Sequence, residues 1–275
     1  DLLSKKESCP IYSLLGMNKT IPKIAYASVL FGKTPQETYN IAKNLINKNF
    51  KAIKFGWENF GLNIKTDEDH LVAARDAIKN EAELMIDVGA IWETNIDEAE
   101  KRKKILQDAK ITWLEEPFYS DAFYEYSKLS EITKLPLAGG ESCHSIESAK
   151  NMIRYGKVKF IQIDAGIAGG IIAGKEICDF AEKNDVQYVN HTFTSHLQLS
   201  SSLQPYISSK KSKFAEFPQQ LKSLAWDLTE NHITMDDDGL INVPEEVGHG
   251  IKINQSALEQ YIVDVEILIN KKKIF

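Results

Sequence analysis

The amino-acid sequence predicts a TIM-like α/β barrel, and three observations carry the prediction. Eight short apolar or β-branched runs recur along the 275-residue chain, at intervals of roughly 25–30 residues. Several are continuously apolar rather than alternating, as strands covered on both faces are. Segments with helix-start signals fill the gaps, and strands alternating with helices imply parallel pairing with right-handed crossovers. Eight such units close most economically into a barrel, a fold that often uses about 250 residues as one domain. An open doubly wound sheet would need edge strands, and none of the runs stands out as one.

The runs are KIAYASVL (23–30), FKAIKF (50–55), ELMIDV (83–88), ITWLEE (111–116), LPLAGGE (135–141), VKFIQID (158–164), VQYVNH (186–191) and KFAEF (213–217). After the first, Thr34-Pro35-Gln36-Glu37 is a capping box with proline at the first helical position. Ile41, Ala42, Leu45 and Ile46 then mark an apolar stripe suited to packing on a sheet. Thr66 through Asp69 and Asn95 through Glu98 are weaker start signals, and Gly156 fits a helix C-cap. After residue 217 the pattern changes. DDDG (236–239) reads as a hairpin turn before an extended segment, lacking the spacing of a calcium loop, and residues 256–269 read as a final helix.

Composition narrows the function. The chain is 43% hydrophobic with net charge −6, and no basic block follows a phosphate backbone, which argues against nucleic acid as a partner. No apolar run approaches the roughly 18 residues of a membrane span, and the charged start DLLSKKES is not a signal peptide. Cys9, Cys143 and Cys178 are odd in number and lack C-x-x-C spacing, so they fit a reducing, cytoplasmic setting with Cys143 and Cys178 as buried small side chains.

Chemistry gathers where the runs end. Lys54 stands at the end of the second run, Asp87 of the third, Glu115 of the fourth, Glu141 of the fifth and Asp164 of the sixth. His191 follows the seventh, and Glu216 lies at the end of the eighth. In a barrel these positions converge on one mouth, the face that carries catalysis in this fold. Burying that much negative charge unpaired is prohibitive, and a cation resolves it. Carboxylates without cysteine or histidine make a hard-oxygen site suited to Mg²⁺.

WLEEP (113–117), LAGGE (137–141) and IQIDAGIAGG (161–170), in that order and at those spacings, resemble the mandelate racemase branch of the enolase superfamily. KAIKFGW (51–57), LMIDVG (84–89) and GLINVPEEVGHGIKIN (239–254) support the match, which covers nearly the whole chain. The resemblance implies a (β/α)7β barrel with Asp87, Glu115 and Glu141 holding one Mg²⁺. It implies a general base at Lys54, an Asp–His dyad at Asp164 and His191, and an acidic hydrogen-bond donor to the substrate carboxylate at Glu216. The implied step is abstraction of the proton α to a carboxylate, through an enediolate. Lys and His on opposite faces allow racemisation or epimerisation of a 2-hydroxy acid, or dehydration; an acid sugar and dehydration are the favoured expectation. Relatives often form symmetric homo-oligomers.

The chain departs from the family pattern in two places. Many relatives carry K-x-K, but Ala52 stands two residues before Lys54, and Lys51 faces the other way on a strand. Either the metal supplies the charge that lowers the lysine pKa, or Lys54 serves only as a substrate-binding cation. Relatives also carry an N-terminal α+β capping domain before the barrel. Here residues 1–20 read as the remnant of its last helix and linker, residues 21–245 as the barrel, and residues 246–275 as a C-terminal segment and helix. Without the cap, the alternative is a folded, metal-binding barrel that turns over poorly, with apolar surface exposed or covered by another subunit.

Other features read as structure. Glu116 is expected to point away from Glu115 and sit behind the site or in a salt bridge. AGIAGG (165–170) reads as close backbone packing rather than a phosphate loop, and His196 as a capping or packing residue. Trp57 and Phe60 either line the mouth or pack in the core, and His70, His144, His232 and His249 show no partner in the sequence.

Overall fold

A computed structural model describes residues 1–58, 60–219, 221–263, 265–266, 268–270 and 272–273. Two short helices, α1 (Leu2–Lys6) and α2 (Ile11–Leu14), precede the barrel. The alternation then runs β1 (Lys23–Leu30), α3 (Pro35–Asn47), β2 (Ala52–Gly56), α4 (Ile64–Ile78), β3 (Glu83–Asp87), α5 (Ile96–Lys101), α6 (Lys103–Asp108) and β4 (Trp113–Glu115). It continues as α7 (Phe123–Thr133), β5 (Leu137–Gly139), α8 (Ile146–Asn151), β6 (Phe160–Ile163), α9 (Ile171–Lys183), β7 (Gln187–Asn190), α10 (His196–Leu203) and β8 (Phe214–Pro218). Then come α11 (Ser223–Asp227), β9 (Leu240–Ile241) and α12 (Gln255–Tyr261). All eight runs are strands. No helix among the described residues is long and apolar enough to cross a membrane.

Strands β1 to β7 pair in sequence order and in parallel, and β8 returns to pair with the outer edge of β1. The β7–β8 seam is closed by side chains instead of a ladder. Asn190 Oδ1 accepts from the Glu216 N–H at 2.9 Å, its Nδ2 donates to the Glu216 carbonyl at 3.2 Å, and Ser212 Oγ accepts from the Tyr188 N–H at 2.9 Å. Tyr206 Oη fixes Asn190 in turn, donating to its Oδ1 at 2.7 Å. These contacts satisfy backbone groups that the missing ladder would leave unpaired.

The lumen is a packed core. Tyr26, Ala52, Met85, Trp113, Ala138, Phe160, Val189 and Phe214, one from each strand, form a buried cluster. Trp113 is its centre, 5.5 Å from Tyr26, 4.7 Å from Phe160 and 5.6 Å from Phe214 between ring centroids. A second, larger core lies between the strands and the ring of helices. Strands buried on both faces explain the continuously apolar runs.

The helix starts follow local chemistry. Thr34 Oγ1 accepts from the Glu37 N–H at 3.2 Å with Pro35 in the first turn, and Glu37 reaches back to the Lys33 N–H at 2.7 Å. Ala42 and Leu45 are buried, with Ile41 and Ile46 packed beside them. Asn95 caps α5 through the Glu98 N–H.

Three local expectations are corrected. Helix α4 begins at Ile64, not near Thr66, because Asn63 Oδ1 takes the Thr66 N–H at 3.1 Å. Gly156 closes a wide π-type turn, and the left-handed cap is Lys157. The final helix stops at Tyr261: Ile262 and Val263 are exposed and β-branched, with no core to reward a helix. Asp264 and Ile267, inside the expected helix, lie outside the described residues. Gly239, with φ +81°, turns the chain into β9, the expected extended segment, which pairs antiparallel with β1.

Candidate active site

Side chains alternate along a strand, so the residue two positions beyond each lumen residue points inward one step nearer the mouth. Those positions hold Ser28, Lys54, Asp87, Glu115, Gly140, Gln162, His191 and Glu216. The sequence-predicted residues therefore come together on one face. Lys54, Asp87, Glu141 and His191 line a cavity of 300 Å³, together with Ser28, Val29, Leu30, Gly56, Trp57 and Phe193. Gly56 is required there, because a Cβ would fall 2.9 Å from the Asp87 Cβ.

The second run delivers a cation into the acids. Lys54 Nζ donates to Glu115 Oε1 at 2.5 Å and lies 3.5 Å from Asp87 Oδ2. Glu216 Oε1 is 3.1 Å away as a charge contact, without the geometry of a directed hydrogen bond. Trp113 Nε1 holds the other Glu115 oxygen at 2.9 Å, and the Thr192 N–H holds Glu216 Oε2 at 2.8 Å. Burial works against the Lys54 charge, but Glu115, Glu216 and Asp87 outweigh it and raise its pKa well above the ordinary value. In this arrangement Lys54 is the charged partner of the carboxylates.

The carboxylates carry more charge than one ammonium balances. Burial and Glu115 push Asp87 up to about 7, and burial and Glu141 push Glu116 up to about 9. Glu115 and Glu141 are raised as well, mainly by burial. Glu216 is the exception: burial raises it, but Lys54, His191 and the Thr192 N–H hold it below the usual range. Glu116 is buried behind the site as expected: it does not line the cavity, its backbone takes φ +40°, and its Oε1 is buried and unpartnered.

The seventh run delivers the dyad. His191 Nδ1 pairs with Asp164 Oδ2 at 3.1 Å, and its Nε2 lies 3.5 Å from Glu141 Oε2. Burial lowers the imidazole, but the Asp164 hydrogen bond and the Glu216 and Glu141 charges override it and bring His191 to about 9. Burial raises Asp164, yet His191 and the N–H groups of Gly166 and Ile167 leave it below the usual range. Gln198 was not legible in the sequence. Its Nε2 donates to Asp164 Oδ1 at 2.7 Å, beside the Gly166 N–H at 2.8 Å, so the dyad is held from behind. The first turn of α10, capped by Ser195, puts it there.

Among the described residues no three His, Cys, Asp or Glu side chains are gathered tightly enough to hold an ion. Lys54 stands among the acids that would do so. The donor set nonetheless fits a hard cation: Asp87, Glu115 and Glu141 end three consecutive strands or the turn after them, Asp87 is in register with Glu115, and their charge is in excess.

The remaining expectations resolve by packing. Trp57 lines the mouth whereas Phe60 is buried in the outer core. His196 packs in an aromatic group with Trp226 and His232 and accepts the Ile233 N–H at 3.1 Å through Nδ1. His70 bonds Thr38 at 2.8 Å. Cys143 and Cys178 are buried and unpaired.

The family model for the enolase C-terminal domain-like fold matches residues 38–257. The crystal structure of a predicted mandelate racemase from Rhodobacter sphaeroides superposes with a TM-score of 0.94 at 40% identity, covering 100% of this chain and 71% of that one. The N-succinyl-L-Arg/Lys racemase of Bacillus cereus is 24% identical over 269 residues, spanning 98% of this chain and 70% of that protein. The L-talarate/galactarate dehydratase of Salmonella typhimurium is 26% identical over 215 residues, spanning 75% of this chain and 52% of that protein.

Proposed function

The chain belongs to the enolase C-terminal domain-like family of the enolase superfamily, and from that premise we propose that its mouth removes the proton α to a carboxylate and expels a β-hydroxyl from an acid sugar. The observation that carries this reading is His191, whose Nδ1 is fixed by Asp164 while Nε2 is left toward the cavity. An oriented imidazole of this kind takes a proton through one nitrogen while the other keeps its tautomer. With a pKa near 9 it holds a proton at neutral pH, as an acid for a departing hydroxyl must.

Mg²⁺, held by Asp87, Glu115 and Glu141, would supply the positive charge that stabilises an enediolate, a contribution of several kcal/mol. Lys54 stays protonated as long as Glu115 and Asp87 face it, and it neutralises the substrate carboxylate in that state. It serves as a base only when those carboxylates are engaged elsewhere. Glu216, seated by the Thr192 N–H, orients Lys54 and the substrate from the eighth strand.

Racemisation is the second reading, favoured by one observation: Lys54 and His191 reach the same cavity from separate strands, β2 and β7. The test is a panel of acid sugars and 2-hydroxy acids with Mg²⁺ in deuterated water, using wild type and His191→Asn. Dehydration gives a 2-keto product that the variant fails to form; racemisation gives solvent deuterium in recovered substrate. Tight Mg²⁺ binding with neither 2-keto product nor exchange on any acid would leave a metal-binding barrel without turnover and defeat the proposal.

A further inference from the structure

The cavity at the mouth has a second wall that no proton transfer uses. Val29, Leu30, Trp57 and Phe193 line it beside the ionisable groups. Trp57 is 57% exposed and Phe193 53%, so neither ring is spent on the core. Each is nevertheless fixed by a site element. Trp57, at φ +62°, lies against Gly89, where a Cβ would sit 3.1 Å from the indole. Gly89 in turn donates its N–H to Asp87 Oδ1 at 2.9 Å. Phe193 stacks on His191, with ring centroids 5.8 Å apart and planes at 29°. Leu62, Ile167 and Ile172 are also exposed, but they stand outside this cavity.

We infer that Trp57 and Phe193 form a specificity slot for the substrate's carbon chain, which selects a deoxy sugar acid over its fully hydroxylated counterpart. The inference rests on the reading of the mouth as the place of α-proton abstraction. Its physical basis is the chemistry of the wall. Aromatic faces and the side chains of Val29 and Leu30 gain from contact with C–H groups and offer a hydroxyl no full-strength partner. A hydroxyl pressed there gives up its water without compensation. Of the polar groups that line the cavity, Lys54, Asp87, Glu141 and His191 are committed to the carboxylate and the reacting carbons, which leaves the Ser28 hydroxyl, among the described residues, as the one uncommitted polar side chain of the lining.

The test uses matched pairs that differ by one terminal hydroxyl: L-rhamnonate against L-mannonate, and L-fuconate against L-galactonate. The readout is formation of 2-keto product, with α-proton exchange in deuterated water beside it, both with Mg²⁺. The deoxy member should exceed its partner in kcat/KM by about tenfold or more, the scale on which apolar pockets discriminate. Trp57→Ala and Phe193→Ala should erase the preference chiefly through KM, and Trp57→Phe should keep it. Equal rates within the pairs, a preference for the hydroxylated acid, or a preference that survives both alanine variants would overturn the slot alone. Neither 2-keto product nor exchange with any member of any pair would defeat the α-proton reading and the slot with it.

Discussion

Two layers of the barrel interior lie two residues apart along every strand and are built from opposite chemistry. The lower layer is the apolar plug of Tyr26, Ala52, Met85, Trp113, Ala138, Phe160, Val189 and Phe214. The upper layer replaces it with Ser28, Lys54, Asp87, Glu115, Gly140, Gln162, His191 and Glu216. The plug stabilises the fold by burying apolar surface. The mouth crowds buried carboxylates around one ammonium, which raises their pKa values and stores unfavourable charge. One layer holds the strands in register so that the next can keep an arrangement that would not hold itself together. Trp113 joins the two, since its ring packs the plug while its Nε1 fixes Glu115.

The largest effects separate the layers. Trp113→Ala should destabilise the protein by about 4 kcal/mol, the cost of a large cavity in a core, read as a fall in the urea midpoint. A shift under about 1 kcal/mol would mean that the plug is not what holds the barrel. His191→Asn should do the reverse, lowering turnover about a thousandfold, within the range of general acid–base catalysis, while the urea midpoint, taken above pH 9 where the imidazolium no longer stabilises the fold, barely moves. Loss of folding in this variant would erase the distinction between the layers.

The pH dependence of stability should also divide by region. His191 is raised in the folded state, so its contribution is full below pH 6.5 and is lost as pH climbs through about 9. Asp87 and Glu116 are raised too, and the folded state binds their protons more tightly than the unfolded chain, which gives the same sign. His191 alone should cost metal-free protein about 3 kcal/mol between pH 6.5 and 9, Asp87 and Glu116 should deepen that loss, and Mg²⁺ should remove most of the slope. A flat profile in denaturant titrations would show that the mouth stores no such charge.

Away from the mouth's acids the sign reverses. Burial and the neighbouring His232 hold His196 down at about 4, so its stability contribution is present above pH 6.5 and lost as pH falls toward 4. His196→Gln should flatten that acid limb by up to about 3 kcal/mol. The smallest effect concerns Gln198. Gln198→Leu removes one hydrogen bond to the Asp164 carboxylate and should lower kcat about tenfold, as a charged-group hydrogen bond allows, with KM and stability little changed. An equal rise in KM would assign Gln198 to substrate binding instead.

Legibility differed along the same division. The eight strands, the Thr34 cap and the seven ionisable positions were readable, because burial on both faces and capping are local properties that leave period and composition behind. Glu116 kept its expected place behind the site, outside the cavity lining. The final helix was overread, since an apolar run without a core to face does not keep helical structure. Gln198 left no signal because it matters only through Asp164, distant in sequence, and Phe193 left none because its place depends on its stacking over His191 and on the cavity they share.

The sequence by itself determined which residue types stand at the strand ends, and hence that acidic and basic groups share one mouth of this barrel. Only the tertiary structure decided their surroundings: that Lys54 is paired with Glu115, that His191 sits between Asp164 and Glu141, and that aromatic rings line the same cavity. The reason is physical. Strand periodicity fixes which way a side chain points, whereas charge, desolvation and packing depend on which strands meet, and the eight meet only when the barrel closes.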